Sequence, residues 1–167
     1  LKAANKPAAV TSTKEAPKIY NNPGNIEVGG GYAGQTGETY ANDRERPFAV
    51  FDSKEMGIRA LALDLKTKIK RFDGDIAKII TQYAPSTEND TKDYIDFVKS
   101  YVGKDKVTID DIAKLTKAVI TREDRKRSNL YLVPSIFNLG IELSTMQFPK
   151  GTTFKEAKKL LKNKKGK

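Results

Sequence analysis

The chain has no cysteine, no histidine and no tryptophan. Without thiols there is no disulfide framework, no thiolate redox chemistry and no Cys nucleophile. Without imidazole there is no Ser–His–Asp triad, no imidazole general base and no His-ligated zinc site. Catalysis, if there is any, has to run on carboxylates, hydroxyls, amides, Lys or Arg. Long apolar runs are also missing. None approaches the roughly 20 residues that a membrane span needs, and no charged-then-apolar segment of the secretory type opens the chain. The first residue is Leu rather than Met, as expected of a processed or excised chain, so the N-terminus does not report the compartment.

What is present is a basic chain of 167 residues with a formal charge of +10 and 38% apolar residues. That length suits one domain with a real core. The charge is unevenly placed: residues 150–167 hold eight Lys and one Glu and so carry +7 of the total. Such a tail reads as a solubilising helix or as a face for an anionic polymer. It has no Arg, and no aromatic follows Phe154, so base stacking and bidentate phosphate recognition find little there and nucleic acid is not an expected partner.

Residues 1–18 mix Ala, Lys, Thr and Pro without a steady period and read as a linker or arm. Residues 19–47 are dense in Gly, Asn and Tyr, which excludes a helix and predicts loops around a short hairpin, with one strand near Phe48 and Val50. Helical spacing then dominates. Asp52 with Glu55, or Ser53, opens a helix carrying Ile58, Leu61, Leu65, Ile69 and Phe72, which Gly74 ends. Ile76, Ile79, Ile80 and Tyr83 mark a second helix stopped near Pro85. A third, capped by Asn89 or Asp90, turns Tyr94, Phe97, Val98 and Tyr101 inward. Thr108 and Asp111 open a fourth, with Ile109, Ile112, Leu115 and Val119 on one face. Pro134 starts a fifth, and Thr153 with Glu156 caps a last basic helix. The fold expected is mainly α (α+β), a helical domain over residues 19–147 with a small Gly-rich lobe, followed by a basic helix or tail over 148–167.

Residues 29–37 (GGGYAGQTG) have the glycines of a phosphate cradle. A P-loop needs a preceding strand and a Gly-Lys-Ser/Thr ending, and a dinucleotide fingerprint needs a βαβ unit; neither context is present. No cofactor or metal is expected.

Glu123 is the most informative single residue. The fourth helix has Ile112, Leu115 and Val119 on its buried stripe, and four residues further on the same stripe ends in a carboxyl group. Burial and a helix C-terminus both disfavour the ionised form, which is what a general acid for glycoside cleavage requires. The competing reading has the helix stop here, with Glu123 paired in water to Arg122, Arg125 or Lys126. A two-carboxylate glycosidase also needs a second acid across the sugar. The Gly-rich lobe offers Glu27, Glu38, Asp43 and Glu45. Glu38, near Tyr40, is the first candidate, its alternative being a solvated loop charge.

Three stretches taken together carry a resemblance: Asn21-Asn22-Pro23-Gly24-Asn25-Ile26, residues 48–61 (FAVFDSKEMGIRAL) and residues 83–95 (YAPSTENDTKDYI). In this order they resemble a family of bacteriophage proteins, often virion-associated, that look like peptidoglycan-degrading lysozyme-like domains. The likeness covers roughly residues 19–125. Relatives often end the fourth helix with Ile-Ile-x-x-Glu-Asn; here the stretch is Val119-Ile120-Thr121-Arg122-Glu123, with Asp124 in place of Asn. A more distant likeness is to flagellar-type and autolysin-type glucosaminidases of lysozyme-like fold. Those carry an Asn-x-x-Gly-Ile element, a Gly-rich hairpin with an acid and a Phe-x-x-Tyr/Phe-Asp-Ser segment. Their catalytic Glu closes a helix preceding the Asn-x-x-Gly-Ile element, so a helix ending at Glu123 would make this chain a circular permutation.

The resemblance implies cleavage of β-1,4 bonds in the glycan of bacterial peptidoglycan, with Glu123 as acid and Glu38 as nucleophile, cation stabiliser or director of water. Asn22, Asn25, Tyr40 and Tyr83 would line the sugar cleft. It also implies a place in a phage virion or at the host envelope, with other virion proteins as possible partners. The alternatives are a lytic transglycosylase using Glu123 alone, an inert phage structural protein of the same fold, and a nucleic-acid binder using the Lys-rich tail.

Overall fold

A computed structural model describes residues 20–39, 47–84 and 88–166, with Glu38, Thr39, Glu88 and Asn89 described for the backbone alone. The expected linker over 1–18 lies outside the described residues, as do Tyr40, Asp43 and Glu45. The architecture is mainly helical with a small sheet. Strands β1 (Gln35–Thr39) and β2 (Phe48–Phe51) precede helices α1 (Lys54–Arg71), α2 (Ile76–Tyr83) and α3 (Glu88–Val102). A 3-10 turn (Ile109–Asp111) leads into α4 (Ile112–Glu123), followed by α5 (Ser128–Tyr131), α6 (Pro134–Leu143) and α7 (Phe154–Lys165). β1 and β2 are antiparallel, with Glu38 opposite Ala49 and a bulge between Gln35 and Gly37. A further bridge joins Glu27 to Phe48.

Helix α1 is the centre of the molecule. Ser53 caps it, its hydroxyl accepting from the Met56 amide at 3.1 Å, and Lys68, Lys70 and Arg71 occupy the last turn, where cations suit the helix dipole. It is buried on two sides. Ile58, Leu61, Leu65 and Ile69 join the larger core with Ile76, Ile79 and Ile80 of α2, Tyr94 and Val98 of α3, Leu115 and Val119 of α4, and Phe137 of α6. Met56 and Ala60 face the smaller core, made by Ala33, Ala49, Phe51, Leu143, Ala157 and Leu161. The segment after residue 148 is therefore part of the body, since α7 docks through Ala157 and Leu161. A capping box of Thr153 and Glu156 starts that helix.

The C-terminal end of α6 is fastened to α1 by cations. Arg59 is 4% exposed. Its Nε donates to the Leu143 carbonyl at 3.1 Å and its Nη2 to the Met146 carbonyl at 2.8 Å. Lys66 donates to the Ser144 carbonyl at 3.0 Å.

The local readings need three corrections. Asp52 does not cap α1; its carboxylate accepts from the Phe154 amide at 2.8 Å and so serves the first turn of α7. Neither Asn89 nor Asp90 caps α3, because the helix is already formed at Glu88. The short α5 was not foreseen, as its approach through residues 124–127 is all charged and reads as a turn.

Candidate active site

Residues 21–26 form a tight turn laid across α1. Asn21 and Asn25 have φ of 53° and 52°, the left-handed region that Asn tolerates better than most residues. Asn21 Nδ2 donates to the Phe51 carbonyl at 3.0 Å. Asn22 is 2% exposed. Its Nδ2 donates to the carbonyls of Ile26 and Ala49, each at 2.9 Å, while its Oδ1 accepts from the Ile26 amide at 2.9 Å. This corrects the expectation that Asn22 lines a sugar cleft: its amide is used up in pinning the turn to β2.

Glycine allows the turn to sit close. A Cβ on Gly57 of α1 would lie 1.8 Å from the Asn21 carbonyl oxygen, and one on Gly24 would lie 2.6 Å from the Tyr83 hydroxyl. Tyr83 uses that closeness by donating a hydrogen bond to the Gly24 carbonyl.

The turn brings Asn25 to Glu123. Helix α4 starts after the Thr108–Asp111 capping box and ends on Glu123, with Asp124 as its C-cap. The half-buried Glu123 accepts from Asn25 Nδ2 on Oε1 and from the Tyr94 hydroxyl on Oε2, both at 2.8 Å. The reading that paired it in water with Arg122, Arg125 or Lys126 is thereby overturned. Arg122 lies over the Tyr94 ring at 4.9 Å and Arg125 over the Phe97 ring at 5.1 Å. Lys126 donates its backbone amide to Asp124 Oδ1.

Glu123 opens onto a cleft of about 620 Å³. The turn contributes Gly24, Asn25, Ile26 and Glu27 to its wall, and the glycine-rich stretch adds Gly30 and Tyr32. Phe48 comes from β2, Asp64 and Lys68 from α1, and Gln82 and Tyr83 from α2. Lys68 holds both oxygens of Asp64, at 2.9 and 2.8 Å, and stands over the Tyr83 ring at 5.6 Å. Burial, reinforced by the Glu123 carboxylate, raises the hydroxyl pKa of both Tyr83 and Tyr94 well above the usual phenol range. Both therefore remain donors. Tyr32 is pushed up to about 12, first by burial and then by Asp64, with Arg59 pulling the other way. Among the described residues no three acids converge as metal ligands.

Of the residues singled out in the sequence, the structure brings Glu123, Asn25, Tyr83 and Glu27 to one cleft. Glu38 lies on β1, its side chain outside the described residues, and Tyr40 lies outside them altogether. Sequence reasoning missed Tyr94 and Asp64. Tyr94 sits on an apolar stripe with Val98, where only its hydroxyl sets it apart. Asp64 and Lys68 are four apart, the spacing of an ordinary solvated helix pair.

No family model matches the sequence. Over 84 residues it is 37% identical to Protein P5 of Pseudoalteromonas phage PM2, a stretch covering 50% of this chain and 52% of that protein. This chain is similar to a bacteriophage protein. It spans about half the length of the relative that it matches. No helix among the described residues is long and apolar enough to cross a membrane.

Proposed function

We propose that the protein is a phage-borne glycosidase that cleaves β-1,4 bonds in the glycan strand of bacterial peptidoglycan. The observation that carries this reading is the meeting of Glu123 with Asn25. A carboxyl group at a helix end is gripped by Asn25 of the Asn22-Pro23-Gly24-Asn25-Ile26 turn, 98 residues earlier, at the wall of a cleft with aromatic, amide and acidic groups. That is the juxtaposition a circularly permuted lysozyme-like arrangement requires. The chemistry suits what the chain possesses, because glycoside cleavage needs carboxylates and no imidazole or thiol. Glu123 protonates the glycosidic oxygen, the bond to the anomeric carbon breaks, and the sugar develops oxocarbenium character. Water then adds to that carbon. Asp64 and Glu27, on the same cleft, are better supported than Glu38 as the second acid that steadies the cation or takes the proton from water. Asn25 and Tyr83 contact the sugars.

The likeness to a phage protein supports a place in the virion, and from there the proposed activity would serve to breach the host envelope, during genome entry or release. The positive charge would favour approach to anionic envelope polymers. A second reading draws on the ion pair between Asp64 and Lys68. With that carboxylate engaged, Glu123 serves first as acid and then as base, and the substrate's own hydroxyl closes an anhydro sugar, as in a lytic transglycosylase.

Digestion of purified peptidoglycan by wild type and Glu123→Gln, with mass analysis of the fragments, tests both. Wild type is expected to release soluble fragments, and the variant to lose at least about 100-fold in rate. New reducing ends mean hydrolysis and anhydro ends mean transglycosylation. Equal rates would remove Glu123 from the mechanism, and no release by wild type would leave an inert phage structural protein.

A further inference from the structure

Tyr131 ends the short helix α5 and is 1% exposed, with its ring in the larger core. Its hydroxyl is fully covered and makes no hydrogen bond to the described residues. A buried hydroxyl left unpaired destabilises a fold, and phenylalanine would supply the same packing without that cost. Burial, and then the Asp124 carboxylate, push this hydroxyl's pKa up, with Arg127 pulling the other way. It therefore keeps a proton to donate.

Tyr131 lines a small hollow with Pro23, Asn25, Ile120 and Asp124. The hollow has room of about 10 Å³ for the centre of a water molecule, which is enough for one. Asn25 lines both this hollow and the cleft at Glu123. Two acceptors in the hollow have capacity left. Asp124 is fixed by the turn into α5: its Oδ1 accepts from the amides of Lys126 and Arg127, each at 3.2 Å, and its Oδ2 from Arg127 Nη1 at 3.0 Å. An ionised carboxylate has about four lone-pair sites, so a further donor can be taken. Asn25 spends Nδ2 on Glu123, while its Oδ1 accepts nothing from the described residues. A carboxamide can turn end for end, and the turned form sets Oδ1 against the Glu123 carboxylate, acceptor against acceptor. A donor on Oδ1 decides which way the amide faces.

We infer that one water molecule occupies this hollow and that Tyr131 is a positioning residue acting through it on the Asn25 amide. The Tyr131 hydroxyl donates to the water oxygen. The water donates one hydrogen to the Asp124 carboxylate and the other to Asn25 Oδ1. Each buried polar group is then satisfied, and Nδ2 is left facing Glu123. The water and the orientation of the amide are independent of the proposed activity; the effect on cleavage rests on the glycosidase reading.

The test compares wild type with Tyr131→Phe, which removes the hydroxyl and keeps the ring. A high-resolution crystal structure of wild type is expected to show one water within hydrogen-bond reach of Tyr131, Asp124 and Asn25 Oδ1. The sign of the Tm change is the second readout. Loss of a bridged hydroxyl lowers Tm, by about 3 °C, whereas loss of an unpaired one raises it. The third is hydrogen exchange of the side-chain amides by NMR. In the variant the Asn25 Nδ2 protons are expected to exchange about tenfold faster, with those of Asn22, bonded to the Ile26 and Ala49 carbonyls, unchanged. Cleavage of peptidoglycan is expected to lose about fivefold in kcat with KM unaltered, because Tyr131 does not line the cleft. A dry hollow in wild type would overturn the inference, as would a raised Tm, unaltered Asn25 exchange, or equal acceleration at Asn22 and Asn25, which is general loosening. The two readings fail separately. A water and Tyr131-dependent Asn25 exchange without cleavage by wild type leave the positioning and remove the glycosidase; cleavage with Asn25 exchange indifferent to Tyr131 does the reverse.

Discussion

The two walls of the cleft are built by different physics. One is a helical frame, α1 to α4, held by interlocked aliphatic side chains such as Leu61, Leu65, Ile79, Val98, Leu115 and Val119. The other is the stretch from Asn21 to Thr39, which has few buried apolar groups and is held by amides: Asn21 to Phe51, and Asn22 to Ile26 and Ala49. The frame draws its stability from buried area, which is non-directional and tolerant of detail. The amide-held wall depends on particular hydrogen bonds and on glycines that allow close approach, and it has little in reserve when one is lost. Glu123 stands at the seam, with one bond from Tyr94 of the frame and one from Asn25 of the other wall.

The harshest way to break this pairing is to force the walls apart. Gly57→Ala puts a methyl 1.8 Å from the Asn21 oxygen and is expected to cost about 3 kcal/mol, read as a lowered Tm, with activity lost as Asn25 leaves Glu123. Asn22→Ala attacks the amide wall alone. It removes three hydrogen bonds, one buried and two partly buried, and should cost about 2 kcal/mol, while denaturant unfolding stays a single transition because the frame is untouched. Tyr94→Phe and Asn25→Gly then cut the seam from either side. Each is expected to lower the cleavage rate about tenfold with stability changed by no more than about 1 kcal/mol. A double variant no worse than either single one would mean that the two bonds position Glu123 as a unit. The finest comparison is Asn25→Ala against Asn25→Gly. Both lose the amide, but only Ala has to adopt a φ of 52°, so Ala should be less stable by about 1 kcal/mol.

The same contrast explains what could be read from the sequence. The frame was legible because helical spacing and caps leave a periodic record: Ser53, Thr108 with Asp111, Pro134, and Thr153 with Glu156 all act at the ends of helices or turns as expected. Glu123 was legible for the same reason, as the last member of a stripe. The other wall has no period. The resemblance singled out the Asn-rich turn, yet nothing in the sequence distinguishes an asparagine that binds backbone, as Asn22 does, from one that faces the cleft, as Asn25 does. Tyr94 was hidden by its apolar ring, and Asp64 by its partner Lys68. In each case the role depends on a neighbour distant in the chain.

Arg59 has a consequence for the conditions the fold can endure. It clasps the end of α6 through carbonyl oxygens, and among the described residues it faces no acidic side chain. Burial lowers its pKa somewhat, but guanidinium keeps its proton across the working range. Ordinary ion pairs let go when their carboxylates take up protons. This clasp has no carboxylate to neutralise, so the join between α1 and α6 should hold as the medium turns acid.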